Sequence, residues 1–441
     1  MSKKNQTLYL VNILFLGIRA KFISLLSKII MNRELGVEAM GIFSLVNPLI
    51  VLLISLSNLS LPSAVATLIS KHPKKEKKIL ISSFIIFLVL SITLMIITFF
   101  LEDFIAIKIL RNIDALYCIR ASLIMIPLTG LSAIIKGYFL GKGEVSLTSS
   151  SQTYEEAGRL LFIILIIYFY STSPSSIKAS FAVFSLAFGE IFQIGYMVLF
   201  SSINKKNILS TFKRNLKDSR EEIKPILNIS IPLTLARLVG SITYFLEPII
   251  FTNIMLRNGY STEYLTIEYG ILSSYVMPIL FMPSFISTTL GNYLLPNMGK
   301  LISKNKYKDS IKLLLKIIII CSIIGLLIAL FLLIFADKIL ILLYGNIIGL
   351  NYLKILCFPF IIYYIETPII IALNIFELSK KSFISTCLSS ICRLIFLFPF
   401  VIKFGVIGVS FATILSVIID VVLNCIFLIK FFVRNNIKIF N

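Results

Sequence analysis

The sequence predicts an all-α integral membrane protein of about twelve transmembrane helices, arranged as two pseudo-symmetric six-helix lobes with both termini cytoplasmic. Three observations carry that prediction. The 441-residue chain is 58% hydrophobic and only 14% charged, with a mean hydropathy of +0.96, well beyond what a soluble core requires. Its apolar runs are long enough to cross a hydrocarbon core of about 30 Å, and they fall into two groups. The Lys and Arg residues, finally, alternate with those runs in a one-sided pattern.

Taken in order, the first group of runs covers roughly 8–31, 41–69, 79–101, 115–140, 147–170 and 177–200. The opening segment MSKKNQTLYLVNILFLGI has a basic start but no small-residue cleavage site, so it reads as a first span rather than a removed signal. The longest polar stretch follows, a basic cytoplasmic linker at 201–225 containing Lys205-Lys206, Lys213-Arg214 and Ser219-Arg-Glu-Glu222. It separates an N-terminal lobe, 1–200, from a C-terminal lobe, 226–441. Within the latter the runs lie at roughly 226–256, 267–295, 311–335, 351–376, 383–403 and 405–432.

Charge sets the orientation. Starting with Lys3 and Lys4 inside, the even-numbered connections carry His72-Pro-Lys-Lys-Glu-Lys-Lys78, the linker, the Lys300–Lys316 cluster and Lys380-Lys381, and the tail carries Lys430, Arg434 and Lys438. The odd-numbered loops are nearly bare, as at Ser171–Ser176. This asymmetry is the positive-inside pattern with both termini cytoplasmic. The net charge of +21 would point to nucleic acid in a soluble chain, but here topology accounts for it, and no nucleic-acid partner is expected.

The halves look duplicated. Leu61-Pro-Ser-Ala-Val-Ala-Thr-Leu68 in the second span resembles Met282-Pro-Ser-Phe-Ile-Ser-Thr-Thr-Leu290 in the eighth, and Arg159-Leu-Leu-Phe in the fifth resembles Arg393-Leu-Ile-Phe in the eleventh. An even number of spans per half makes this a parallel repeat about an axis along the membrane normal.

The site candidates follow from depth. Arg19, Arg159, Arg237 and Arg393 each lie roughly 10–14 residues into a span, near the bilayer midplane, as do the repeat-related Glu190 and Asp420. Charges at that depth cost several kcal/mol and mark pathways or buried pairs. The segment Ile231–Pro248 is the most informative. Thr234, Arg237, Ser241 and Tyr244 form a polar stripe there. Arg237 and Glu247 start roughly 15 Å apart along the helix, too far to pair. Arg19, Arg237, Lys28, Arg159 and Arg393 are the candidate substrate-binding cations. Glu247, Glu366, Glu155, Glu190 and Asp420 are the candidates for Na+ or H+ coupling or gating. Each has a bland counterpart: Lys28 can snorkel, Glu155 and Arg159 are spaced i, i+4 for an intrahelical ion pair, and Arg393 can meet Asp420 or Glu366.

The six cysteines show no CxxC spacing and read as small buried hydrophobes. His72 is the single histidine, in a Lys-rich loop. With no phosphate loop, HExxH or Ser/His/Asp set, the expectation is no enzyme, no metal and no cofactor. A monomer is compatible with the sequence.

The Leu61-Pro-Ser-Ala segment, Pro127 with Lys136-Gly-Tyr-Phe-Leu-Gly141, Gln152 with Glu155 and Arg159, Ile231-Pro-Leu with Arg237 and Glu247, and Tyr269-Gly with Pro278 and Pro283-Ser284 together resemble the stage V sporulation protein B and polysaccharide-biosynthesis family. That family belongs to the multidrug/oligosaccharidyl-lipid/polysaccharide (MOP) superfamily, with MurJ-type lipid II flippases. The resemblance covers essentially the whole chain. It implies a MOP/MATE-like fold whose cavity is lined by spans 1, 2, 7 and 8, and a lipid-linked anionic glycan carried across the lipid bilayer of the plasma membrane, as in peptidoglycan, cell-wall or sporulation pathways. Arg19 and Arg237 would be its cavity cations. Unlike the MurJ pattern, the second span here has no arginine. Basic midplane residues suit a pyrophosphate. The expected function is therefore a flippase for an undecaprenyl-pyrophosphate-linked precursor, with an ion-coupled multidrug antiporter or a non-transporting scaffold as the alternatives.

Overall fold

A computed structural model describes residues 3–170, 172–200 and 221–434, so the 201–225 linker and Lys438 lie almost wholly outside the described residues. Every regular element among them is helical. The helices are α1 (Lys3–Asn58), α2 (Leu61–Lys71), α3 (Glu76–Asp103), α4 (Ala115–Gly141), α5 (Val145–Tyr170) and α6 (Ser175–Phe200). They continue as α7 (Ile223–Arg257), α8 (Thr262–Gly270), α9 (Met277–Phe281), α10 (Ser284–Ser303), α11 (Tyr307–Tyr344), α12 (Leu350–Leu356), α13 (Ile361–Ile375), α14 (Ser379–Phe404) and α15 (Ile407–Arg434).

This is a multi-span membrane fold. Among the described residues nine helical segments are long and apolar enough to cross a membrane, or ten if α12 and α13, bent by 51°, make one crossing. The shortfall from the twelve apolar runs has physical causes. Residues 15–71 form one continuous candidate segment, yet at about 1.5 Å per residue it would be several times the length needed for one crossing. Gly36, at φ 84° and ψ 167°, breaks α1 in the middle, a conformation that only glycine adopts without strain. A second break follows at Leu59 and Ser60, both left-handed, before Pro62 opens α2. Helix α5, for its part, interrupts its apolar run with Glu155, Glu156 and Arg159.

The repeated Pro-Ser segments share a local structure. Leu61-Pro-Ser opens α2 directly after the left-handed Ser60, and Met282-Pro283 is the turn from which α10 starts at Ser284. Proline suits both places because its missing N–H falls where a helix start has no partner for it.

Packing divides the chain into two compact units, Met1–Phe245 and Leu246–Asn441, the division falling within α7. In the first unit α4 packs against α1, α2, α3 and α6, and α1 also meets α5 and α6. Its core joins Leu61, Ala64, Val65 and Leu68 of α2 to Ile79 and Phe87 of α3 and to Ile134, Tyr138 and Phe139 of α4. Close approach at Gly137 permits this: a Cβ there would lie 2.9 Å from the Pro62 backbone. Gly137→Ala is expected to lower stability by about 1–3 kcal/mol, the range for overpacking, read as an earlier thermal melt of the purified protein. In the second unit α13 packs against α10, α11, α14 and α15. Ile369, Ala372 and Leu373 of α13 meet Leu294 and Met298 of α10, Ile311 and Leu314 of α11, and Val417 and Val421 of α15.

Candidate functional site

Within the first unit, the polar stripe of α7 faces α1. Thr234 Oγ1 lies 3.2 Å from the hydroxyl of Ser60, just past the end of α1, Ser241 Oγ and Ser55 Oγ lie 2.9 Å apart, and Asn47 Nδ2 donates to Tyr244 Oη at 3.3 Å. These hydroxyls and amides therefore form a seam between helices. Arg237, beside that seam, is exposed and makes no ion pair within 4.0 Å among the described residues. Arg19 and Lys28 on α1 are also exposed and unpaired by the same measure. The two do not share a face: nine residues at about 100° each set them roughly 180° apart around the helix. Lys28 points to the α5 side, within electrostatic reach of Glu156 and Arg159. Arg19 lies on the far flank of the buried stripe of Leu16, Ala20 and Ser27.

Arg159 and its neighbours form a closed network across α4, α5 and α6. Its guanidinium meets Glu155 at 2.5 Å and Glu156 at 3.2 Å, which realises the i, i+4 pairing expected from sequence. The Arg159 side chain passes over Gly189, where a Cβ would lie 2.7 Å from its Cγ. Glu155 Oε2 accepts from Gln193 Nε2 at 2.6 Å and lies 3.7 Å from Lys136 Nζ. Ser132 Oγ donates to Gln193 Oε1 at 2.6 Å. Glu190 sits in electrostatic reach of Glu155, Lys136 and Arg159, and its buried Oε2 has no hydrogen-bond partner. Gln193, fully buried, links three helices, so Gln193→Leu is expected to remove one hydrogen bond from each of Ser132 and Glu155. A loss of about 1 kcal/mol follows from deleting a hydrogen bond of this kind, read by thermal melting against the unsubstituted protein.

In the second unit Arg393 of α14 pairs with Glu247 of α7, not with Asp420 or Glu366. The reason is geometric: Glu247 is 4% exposed, needs a counter-charge at that point, and also receives Tyr269 Oη at 3.5 Å. Glu366 of α13 and Asp420 of α15 are left facing one another within electrostatic reach, with no cationic partner within 4.0 Å among the described residues. Asp420 Oδ2 accepts from Asn424 Nδ2 at 2.7 Å.

The five candidate cations thus separate by their surroundings. Arg159 and Arg393 are bound to carboxylates, Lys28 is exposed with Glu156 in electrostatic reach, and Arg19 and Arg237 are exposed with no carboxylate within 4.0 Å among the described residues. A guanidinium facing acyl chains is expensive, so exposed arginines inside an apolar span imply contact with water, headgroups or a ligand.

A sequence model described as polysaccharide biosynthesis protein matches residues 10–302, well over half of the chain. The chain belongs to the polysaccharide biosynthesis protein family. Among curated relatives, stage V sporulation protein B of Bacillus subtilis (strain 168) is 23% identical over 416 residues, covering 92% of this chain and 80% of that protein. Sporulation protein YkvU of the same organism is 23% identical over 314 residues, covering 69% and 68%. Among solved structures, lipid II flippase MurJ in an inward closed conformation superposes with a TM-score of 0.70 at 16% identity, covering 96% of this chain and 87% of that one. An inward-facing multidrug resistance MATE family transporter of the MOP superfamily gives 0.65 at 17% identity, covering 92% and 93%. At such identities these likenesses show the fold alone, an all-helical multi-span membrane fold similar to those of the two solved structures.

In this family member, sequence reasoning missed several polar residues that the packing brings together. Gln193 and Lys136 complete the Glu155 network, and Tyr269 completes the Glu247 pair. A signal existed for Asn424, which stands one turn after Asp420 in the middle of the same helix. None existed for the pairing of Arg393 with Glu247, which lie 146 residues apart.

Proposed function

We propose that this protein is a flippase that carries an undecaprenyl-pyrophosphate-linked cell-envelope precursor across the plasma membrane by alternating access. In this reading the helices make twelve crossings in two six-helix lobes, 1–200 and 226–441, with both termini cytoplasmic. Helix α1 contributes two crossings on either side of Gly36, and α8 to α10 together make one. The observation that carries the reading is the pair of exposed, acid-free arginines in apolar spans, Arg19 and Arg237. A carrier of organic cations would place carboxylates there instead. Arginine grips a pyrophosphate through two parallel charge-assisted hydrogen bonds, while the polyprenyl tail remains in the bilayer. Arg159 and Arg393, already bound to carboxylates, hold helices together in this reading. Lys28 is set apart from Arg19 and serves the α5 cluster.

The test is a reconstituted flipping assay. Proteoliposomes are supplied with lipid II in one arm and a teichoic- or capsule-type lipid-linked precursor in the other, and exposure on the opposite leaflet is measured. Translocation of one of them, absent from empty liposomes, is the expected result. No translocation of either, together with changed susceptibility to cationic drugs in a deletion strain, would instead favour the ion-coupled antiporter.

A further inference from the structure

A small aromatic cavity opens at the end of the second unit where α7 stops. Gly259, at φ 88°, turns the chain through the left-handed region, and the Tyr260 N–H returns to the Met255 carbonyl at 3.3 Å, a common way for a helix to end. Ser261 then caps α8 by accepting from the Tyr264 N–H at 3.3 Å. This tight connection lays the rings of Tyr260 and Tyr264 together, with centroids 5.5 Å apart and planes 20° apart, each nearly half exposed. With Phe251 of α7, Glu268 of α8, Tyr352 of α12 and Phe404 at the end of α14, they wall a cavity of about 140 Å³.

Volume, shape and polar groups together say what fits. The cavity holds several times the liquid volume of one water but falls below the roughly 300 Å³ at which drug-sized sites begin, so it has room for one ring and not for a chain. Its aromatic walls offer flat, rigid contact to the C–H face of a ligand at little entropic cost. Its polar groups are of both kinds. Glu268 Oε2 accepts from the Tyr352 hydroxyl, while the carboxylate makes no ion pair within 4.0 Å among the described residues, which leaves Oε1 as an acceptor. The Tyr260 and Tyr264 hydroxyls can each donate and accept. A pyranose, with apolar C–H faces and a rim of hydroxyls, meets all of these at once. Rings also attract organic cations, but Lys403 already sets its ammonium 5.4 Å from the centre of the Phe404 ring, so a second cation would meet a like charge. An anion would meet Glu268.

We propose that this cavity binds a single neutral pyranose ring, with Tyr260 and Tyr264 as its platform and Glu268, held by Tyr352, accepting from the ring hydroxyls. Both α7 and α14 reach it with their C-terminal ends, away from the ends that follow the 201–225 linker and carry Lys380-Lys381; in the proposed topology that is the outer face. Its use as a receiving point for the sugar of a delivered precursor rests on the proposed flippase function; sugar binding itself does not.

The experiment is saturation-transfer NMR on the purified full-length protein in nanodiscs, free of glycoside detergent and of lipid-linked substrate. Glucose, galactose and N-acetylglucosamine are titrated separately, with the acyclic polyol sorbitol as a control and tetramethylammonium chloride as a competitor. At least one of the sugars should give a saturable signal in the millimolar range that sorbitol does not give and tetramethylammonium does not displace. Tyr260→Ala removes half of the platform and Glu268→Gln the charged acceptor, and each should bind about tenfold more weakly with the helical circular dichroism unchanged. Tyr260 lies at the surface, so its variant remains informative if Glu268→Gln is unstable. No saturable signal from any of the three sugars, an equal signal from sorbitol, displacement by tetramethylammonium, or undiminished binding in either folded variant would each overturn the site. A null result here leaves the flipping assay untouched, and failed flipping leaves this titration intact.

Discussion

Replacing Arg237 by Ala is expected to abolish transport while leaving the protein folded and inserted. Arg237 is exposed within an apolar span and makes no ion pair within 4.0 Å among the described residues, so its removal strands no buried carboxylate. The seam of Thr234, Ser241 and Tyr244 with α1 stays intact, because its hydrogen bonds do not involve the guanidinium. What is lost is the grip on an anionic headgroup. Hydrogen bonds to charged groups are worth about 1.5–3 kcal/mol each, so losing a bidentate pair costs on the order of a hundredfold or more in binding. Arg19→Ala should behave alike. Arg237→Lys keeps the charge but loses the planar fork, and is expected to recover only part of the activity. The measurement is flipping in proteoliposomes beside membrane abundance in cells. Normal flipping by both alanine variants would remove Arg19 and Arg237 from the site.

Arg393→Ala should give the opposite signature, a failure of stability before any failure of transport. The substitution leaves Glu247, 4% exposed, with the Tyr269 hydroxyl, at 3.5 Å, as its remaining hydrogen-bond partner among the described residues. Removing one member of a buried pair costs about 3–5 kcal/mol, whereas replacing both members with apolar groups of similar size is often neutral or stabilising. Low abundance and an early melt are therefore expected for Arg393→Ala, with recovery in the Glu247→Gln/Arg393→Met double variant. If the single variant were stable and inactive, Arg393 would be a ligand for substrate after all. A double variant as unstable as the single one would show that the site needs the ion pair itself.

Much of this protein is legible along the chain because hydropathy and helical spacing are local quantities. Twenty or so apolar residues must span a bilayer wherever they occur, so most helices follow from the runs alone. The pairing of Glu155 with Arg159 follows from i, i+4 spacing on one helix. The break at Gly36 falls in the gap between the first two apolar runs, 8–31 and 41–69, whereas the Leu59-Ser60 break lies inside the second run and was less readable: a bent apolar stretch looks the same in composition as a straight one, and only the backbone torsions separate them.

By itself, then, the sequence determined the membrane class, the approximate crossings, the family and which charges lie deep in apolar spans. Only the tertiary structure decided which of those charges are spent. It brought Glu247 to Arg393 across 146 residues, turned the Thr234, Ser241 and Tyr244 stripe into a packed polar seam, and set Lys28 apart from Arg19. The physical reason is that depth is fixed by position along a helix, whereas partnership depends on how each helix is rotated and which others lie beside it.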